Sequence, residues 1–396
     1  MIFYKIELYL NTLNEIIKKN PESIWIKSAI LGSLWASFEI IAGNFLHSLK
    51  IPFSGQFLAS ASVVLLIAVF QVWNIKGIII RAGVICAVMK LFSPGMNIFG
   101  PVIAIMAEAA LIEFAILIFG RNLPAYLIGG GFAIVWVLLQ RIFNYLILYG
   151  TDLIILYNNI YEYALKSIPF ASGSPVMPLV FLVVIYMLFG SIAALIGYIV
   201  GRKALKETGT SESLASINTG DIIKPNVNFR YSKIKLLTVF IITVSFLSLN
   251  YFVSIYVKAS FVIASCILIL IWYKPVIKKI VKPKFWIPVI AITLLASYFI
   301  SGVKDDSWGL NSNGLSAGIE MSLRAVFLIF NFTAISVELK KPLTDMILKS
   351  GRYKNFSNAL NLAFSTVPVF IYYISQDSSF FRRPFKSLLK LISTLK

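Results

Sequence analysis

Long apolar segments recur along the whole chain and are separated by short polar stretches. Hydrophobic residues make up 58% of the sequence, and charged residues only 13%. A segment of about 20 apolar residues can cross a bilayer as a helix, because a helix satisfies its backbone polar groups internally. The pattern predicts an all-α polytopic membrane protein with about ten transmembrane helices. The predicted spans are Ile24–Leu46, Phe57–Val72, Gly77–Phe92, Ile98–Phe119, Ala125–Tyr149, Met177–Val200, Ile234–Val257, Phe261–Tyr273, Phe285–Ile300 and Gly314–Val337.

Lysine and arginine residues are concentrated in every second connection between these spans. With the N-terminus in the cytoplasm, the cytoplasmic connections hold most of the basic residues up to the tenth span. The outer side holds only Lys50, Lys90, Lys166, Lys258 and Lys304. This is the positive-inside bias of membrane proteins. The net charge of +19 is therefore explained by the orientation of the spans in the membrane. No nucleic-acid partner is expected, because binding it would require a concentrated soluble basic face.

The alternation stops after the tenth span. Basic clusters flank the apolar stretch Ser357–Ser375 on both sides, at 340–354 and at 382–396. Because a span here would carry one cluster outward, residues 338–396 are predicted to form amphipathic helices at the cytoplasmic surface. Pro368 also argues against an uninterrupted spanning helix. The alternative is an ordinary eleventh span.

A hydrophilic segment separates the first six predicted spans from the last four. It is the only long soluble break between spans and is typical of a cytoplasmic linker. We therefore expect two helical bundles, of six and four helices. The predicted boundaries are a cytoplasmic N-terminal segment at 1–23, a six-helix module at 24–201, the linker at 202–231, a four-helix module at 232–337 and coupling helices at 338–396.

The common catalytic motifs are absent from the sequence. There is no GxxxxGK[ST] phosphate loop, no HExxH and no GxSxG. His47 is the only histidine, and Cys86 and Cys266 fall in separate spans, so no metal site or disulfide is indicated. We expect no catalytic residue, no cofactor and no enzymatic activity. If the protein uses ATP, the hydrolysis belongs to a partner chain.

Polar and charged residues in the first five spans concentrate toward the predicted outer face. Such residues are costly inside a membrane and are a default indication of function. Together they would line a pocket open to the outside. The alternative is a set of hydrogen bonds between helices with one buried Lys–Glu pair. The predicted substrate-binding residues are Glu39, Asn44, Lys90, Asn97, Glu108, Gln140, Asn144 and Tyr145.

Three further expectations follow from depth and spacing. Arg81 and Glu113 both lie nearer the inner face and are expected to form an ion pair. Glu320 and Arg324 are four residues apart on one span and can pair within it. The amphipathic stretch Asp152–Ser167 is expected to cap the pocket as an interfacial helix.

The first span carries small residues at intervals of four. Ala29, Ser33 and Ser37 lie on one face and let another helix approach closely. This helix-packing face serves either the inside of the bundle or docking on another membrane domain.

Six short spans, an outward pocket and a small-residue first helix together resemble the substrate-binding S component of energy-coupling factor (ECF) transporters. The segments Ser54–Gln56 (SGQ) and Ser93–Pro101 (SPGMNIFGP) look like the glycine and proline loops of that family. The resemblance covers residues 24–202. It implies capture of a small solute on the outer side.

The C-terminal half resembles the transmembrane coupling (T) component of the same transporters. From Gly314 it shows a span with a basic end, an amphipathic segment opened by Pro342-Leu343-Thr344 and an apolar helix containing proline. The resemblance implies that cytoplasmic helices after this span bind two ATPase subunits. The expected ATPase-coupling residues are Arg352, Arg382 and Arg383.

The two resemblances imply a multi-pass subunit of an ATP-driven importer in a bacterial inner membrane, with both termini in the cytoplasm. Its expected partners are membrane lipids, a small-molecule substrate and cytoplasmic ATP-binding cassette ATPases. A further membrane subunit is also a candidate partner, because a T component usually continues into a final span. Two alternatives remain open: a secondary transporter without an ATPase, and a non-transporting scaffold or assembly factor.

Overall fold

The computed structural model describes residues 24–48, 53–92, 99–167, 173–206, 233–249, 255–273, 283–299, 312–349 and 354–376. Within these ranges the regular structure is α-helical and contains no strand. The predicted N-terminal segment 1–23 and most of the linker 202–231 lie outside them. The helices are α1 (Ile24–Ser48), α2 (Ser54–Trp73), α3 (Ile78–Phe92), α4 (Phe99–Phe119), α5 (Leu123–Tyr149), α6 (Asp152–Ser167), α7 (Met177–Lys206), α8 (Lys233–Leu249), α9 (Ile255–Trp272), α10 (Pro283–Phe299), α11 (Ser312–Lys349) and α12 (Lys354–Gln376).

Among the described helices, seven are long and apolar enough to cross a membrane, namely α1, α2, α4, α5, α7, α9 and α11. Two shorter apolar helical stretches, Ile234–Phe246 and Val289–Phe299, lie in α8 and α10. The protein is therefore a multi-pass α-helical membrane protein. Each predicted span overlaps a described helix, and Val257, the predicted end of the seventh span, belongs to α9.

Local chemistry explains the sharp turn between α4 and α5. Gly120 follows the last turn of α4 with a φ of 83°, a left-handed conformation that glycine adopts without strain. Asn122 then serves both helices: its Nδ2 donates to the Phe119 carbonyl at 2.8 Å, and its Oδ1 accepts from the Ala125 N–H at 3.0 Å. One side chain thus satisfies an end of each helix.

By their contacts, the residues form two compact units. Unit 1 comprises Met1–Leu139, Leu182–Val227 and Asp345–Lys396, and unit 2 comprises Gln140–Phe181 and Asn228–Thr344. This grouping differs from the six-plus-four division, because α12 joins the first spans. The linker that marks the predicted boundary is largely outside the described residues, so that division stays a prediction.

Unit 1 has its core around α1, which packs extensively against α3 and α12. The core is apolar and includes the fully buried side chains of Trp35, Leu66 and Ile85. Gly32 permits the close contact with α3, since a Cβ there would lie 2.8 Å from the Ala82 carbonyl oxygen. The same close approach recurs where Gly197 of α7 meets α2.

The small-residue face of α1 contacts α12. Ala29, Ser33 and Ser37 are fully buried, and the Ser37 Oγ lies 3.2 Å from the Val367 carbonyl oxygen. Near the start of both helices, the Trp25 and Phe356 rings meet with centroids 5.6 Å apart. From Trp25 to Ser37 is 12 residues and from Phe356 to Val367 is 11, so the helices run parallel, side by side, for about 17 Å.

α12 accompanies a predicted span from its beginning to its middle, and it buries Leu360, Ala363 and Val367 in the core of unit 1. Its predicted place at the cytoplasmic surface stays a prediction. α11 likewise continues without a break past its predicted end at Val337 and through Pro342 to Lys349. The coupling residues Arg352, Arg382 and Arg383 lie outside the described residues, so their role stays a prediction.

Unit 2 is held together by two apolar clusters. One contains Tyr149, Leu156, Ala296, Met321 and Ala325, and the other contains Phe246, Val262, Phe327 and Leu328. The stretch Asp152–Ser167 forms the helix α6, and its role as an interfacial cap on the pocket stays a prediction. It is anchored on α10 by the Asn159 Nδ2, which donates to the Phe299 carbonyl at 2.7 Å.

The parallel packing of α12 on α1 makes a topological prediction. If α12 crosses the membrane beside α1, its two ends lie on opposite sides. We expect Lys354→Cys to react with an impermeant thiol reagent only in permeabilised cells, and Gln376→Cys to react in intact cells. Lys76→Cys in the exposed α2–α3 connection provides the cytoplasmic control. Reaction of both α12 positions from the cytoplasm would restore the surface-helix expectation.

Candidate functional site

An ion pair inside unit 1 joins two of the predicted substrate-binding residues. α1 contributes Glu39, and the last turn of α3 contributes Lys90. The Lys90 Nζ lies 3.4 Å from Glu39 Oε2, and the two side chains are 19% and 7% exposed. The same ammonium group also lies 3.4 Å from the Glu39 backbone carbonyl oxygen. Lys90 therefore binds both a charged and a neutral oxygen of one residue.

A hydrogen-bond chain extends this pair to α2. The Trp35 Nε1 donates to the Ser62 Oγ at 2.8 Å. That hydroxyl lies 3.3 Å from Glu39 Oε1 and 3.0 Å from the Leu58 carbonyl oxygen, and either can accept its single proton. Trp35 and Glu39 are four residues apart and so share one face of α1. The network therefore fixes the Glu39 carboxyl group from three helices.

Glu108 of α4 is the third predicted residue in this cluster. Its side chain is 4% exposed, and its Oε2 is buried without a hydrogen-bond partner among the described residues. It lies close enough to interact electrostatically with Glu39 and with the buried Cys86. The cluster thus holds two carboxyl groups and one ammonium group away from water.

The charge count limits what this cluster can do. Ionisation of both Glu39 and Glu108 would leave one negative charge in excess over Lys90. An uncompensated charge is very costly in an apolar environment, so a proton or a cationic group must neutralise it. The arrangement can hold a proton or a cation at Glu108, and Lys90 can bind an anionic group.

The role of the remaining predicted residues stays a prediction. Gln140, Asn144 and Tyr145 belong to unit 2, where Asn144 and Tyr145 are exposed. Asn97 and the side chain of Asn44 lie outside the described part of the chain. Trp35 and Ser62 were not predicted as site residues, although both belong to the hydrogen-bond chain that reaches Glu39. The spacing of Trp35 four residues before Glu39 was the available signal.

Glu113 has a different role from the expected ion pair with Arg81. Its carboxylate accepts hydrogen bonds from the backbone N–H groups of Gly77 and Ile79, the latter at 3.0 Å. It thereby satisfies free donors at the start of α3, where the helix dipole favours a negative charge. The Arg81 Nη1 instead donates to the Gly77 carbonyl at 2.9 Å, and its guanidinium lies over the Trp25 ring.

Comparisons of the chain with protein-family models, with curated proteins and with solved structures found no match. The site is therefore interpreted from its own geometry.

The Glu39–Lys90 pair makes a prediction about stability. Lys90→Met leaves the Glu39 carboxyl group buried without its counter-charge, and Glu39→Gln does the same to the Lys90 ammonium group. Each single change should cost about 3 kcal/mol of folding free energy, as is typical of a broken buried pair. The double variant should recover most of that loss, because it removes both charges.

Denaturant unfolding of the purified protein in detergent measures these differences. Lys76→Met, at an exposed position of the α2–α3 connection, should leave the stability unchanged. Strictly additive effects of Lys90→Met and Glu39→Gln would show that the two charges do not interact.

Proposed function

We propose that this protein is a membrane transport subunit that binds a small charged solute at the cluster of Glu39, Lys90 and Glu108. The observation that carries the proposal is the buried Glu108 Oε2, which has no hydrogen-bond partner among the described residues. Buried polar atoms in folded proteins are nearly always hydrogen-bonded. A carboxyl oxygen left open beside an ion pair is what a binding site presents before its ligand arrives.

A purely structural role explains the cluster less well. The Glu39 carboxyl group already has Lys90 and Ser62 as partners, so α1, α2 and α3 are joined without Glu108. Glu108 adds a desolvated carboxyl group whose Oε2 has no hydrogen-bond partner among the described residues. A carboxyl group that is costly to bury and does not join helices is expected to bind a ligand or a proton.

The resemblance to ECF transporters supplies the class of transport. By this resemblance, the solute is captured on the outer side of a bacterial inner membrane. ATPase subunits on other chains then drive it inward, through contacts at Arg352, Arg382 and Arg383. This role requires both ends of α12 to face the cytoplasm. A further membrane subunit would complete the assembly. The packing of α12 along α1 offers no support for a coupling helix at the cytoplasmic surface.

Secondary transport is the second candidate, and Glu108 favours it. A carboxyl group that changes its protonation inside a membrane can couple solute movement to a proton gradient. In this form the chain needs no ATPase, and Glu108 carries the coupling proton while Lys90 holds an anionic solute.

Solute binding is tested by mass spectrometry of small molecules released from the purified protein. A molecule should be released by the wild type and by Lys76→Met. It should be absent from the double variant Glu39→Gln/Lys90→Met, whose fold is restored but whose charges are gone. Equal retention by the double variant would remove the cluster from solute binding.

The same molecule then distinguishes the two energy sources. Proteoliposomes that contain this chain alone should accumulate it under an imposed proton gradient if transport is secondary, and Glu108→Gln should abolish that accumulation. ATP-driven transport predicts no accumulation by this chain alone and ATP-dependent accumulation once the ATPases are added. Gradient-driven uptake that survives Glu108→Gln would contradict the role given to that carboxyl group.

A further inference from the structure

A second group of charged residues lies in unit 2, on three helices. α6 begins with Asp152, α9 carries Lys258, and α11 carries Glu320 and Arg324. The Lys258 Nζ donates to Glu320 Oε1 in an ion pair. Glu320 was expected to bind Arg324 four residues along its own helix. The Glu320 carboxylate pairs with Lys258 instead.

Arg324 is left with an unsatisfied donor. Its Nε is buried and has no hydrogen-bond partner in the described part of the chain. The guanidinium group stays protonated in proteins and has only donors, so it cannot remove this cost by losing a proton. Because the Arg324 Nε–H group is buried in an apolar helix and carries a permanent positive charge, it requires a hydrogen-bond acceptor.

Gly150 makes room for this guanidinium. A Cβ on Gly150 would lie 2.5 Å from the Arg324 Nη1, and the residue has a φ of 76°. Only glycine meets both conditions without strain. The turn between α5 and α6 is thus shaped around the arginine side chain.

The contact with Gly150 also sets the depth of the guanidinium. Gly150 directly follows the apolar helix α5, which ends at Tyr149. Helical side chains point toward the N-terminus of their helix, so Arg324 extends toward the beginning of α11 and the end of α5. The charged group therefore lies at the level where a span ends, which is the level of lipid phosphates.

The neighbouring carboxyl group compensates Arg324 only in part. Burial raises the pKa of Asp152, and the nearby Glu320 raises it further, while Arg324 and Lys258 act in the opposite direction. Asp152 does not supply the missing acceptor, since the Arg324 Nε has no hydrogen-bond partner among the described residues.

We propose that Arg324, at the turn formed by Gly150, binds a phosphate group. The planar guanidinium matches phosphate oxygens with several parallel donors. The phosphate comes from a phospholipid of the facing leaflet or from a soluble phosphate compound. All the residues belong to unit 2, so the proposal does not rest on the solute site of unit 1.

Native mass spectrometry of the full-length protein in detergent tests the lipid source. The probes are dioleoylphosphatidylglycerol and dioleoylglycerol, which share their acyl chains and differ in the phosphate headgroup. Inorganic phosphate, measured by isothermal titration calorimetry, tests the soluble source. Wild type should bind phosphatidylglycerol or inorganic phosphate, and diacylglycerol should bind no better to it than to the variants.

Arg324→Gln should weaken binding of the phosphate-bearing probe at least about tenfold, because it removes charge-assisted hydrogen bonds. Arg324→Lys should weaken it less, since it keeps the charge but loses the planar donors. Arg121→Gln, at an exposed position, is the matched control and should bind as wild type does. Arg324→Lys also serves as the test if Arg324→Gln does not fold.

Two results would overturn the proposal. One is wild-type affinity for the phosphate-bearing probe in the Arg324 variants that fold. The other is the failure of wild type to bind either phosphatidylglycerol or inorganic phosphate.

Discussion

The Glu39–Lys90 ion pair determines how the first helices of this protein can be arranged. Both side chains are largely buried where the helices meet, which favours the register of α1 and α3 that brings the two charges together. Ser62 and Trp35 extend the same requirement to α2. Pairs of this kind add little net stability, because desolvation offsets much of their attraction. Their larger effect here is to exclude other registers, in which one charge would remain unpaired.

Glu108 stands outside that arrangement, and this is what makes the cluster a candidate for function. A group that has partners in one state and none in another favours the first state by the difference in free energy. Protonation or ligand binding at Glu108 therefore stabilises whichever conformation encloses it. Since Glu39 lies close to Glu108, a change at one carboxyl group alters the electrostatic environment of the other.

Much of the helical architecture could be predicted because lipid imposes a single strong rule. Backbone groups must be satisfied within the segment, so the ends of apolar runs mark the ends of helices. The predicted ends at Phe119 and Tyr149 and the start at Met177 coincide with those observed. The same reasoning singled out Glu39, Lys90 and Glu108, because charged residues within apolar segments are costly in a membrane and indicate function.

The choice of partners could not be predicted, because it depends on contacts between distant segments. Spacing suggested that Glu320 would bind Arg324, yet Lys258, 62 residues away in sequence, takes the carboxylate. The predicted depth of Glu113 in the membrane suggested an ion pair with Arg81. Its carboxylate instead accepts hydrogen bonds from backbone N–H groups at the start of α3. In both cases the sequence contained several suitable partners, and only the packing of the helices selects one.

The position of α12 follows from a competition between two physical effects. Basic residues on both sides favour the cytoplasmic surface, whereas the small-residue face of α1 offers a close apolar contact. The composition of α12 is consistent with the second effect. Asn355, Asn358 and Asn361 lie in its first turns. The stretch from Leu362 to Phe370 is apolar except for Ser365 and Thr366, and polar residues return at Ser375. Its 23 residues would extend about 34 Å, the thickness of a bilayer core. α12 is not among the seven described helices that are apolar enough to cross a membrane alone, so its close contact with α1 is the effect that would hold it beside that span.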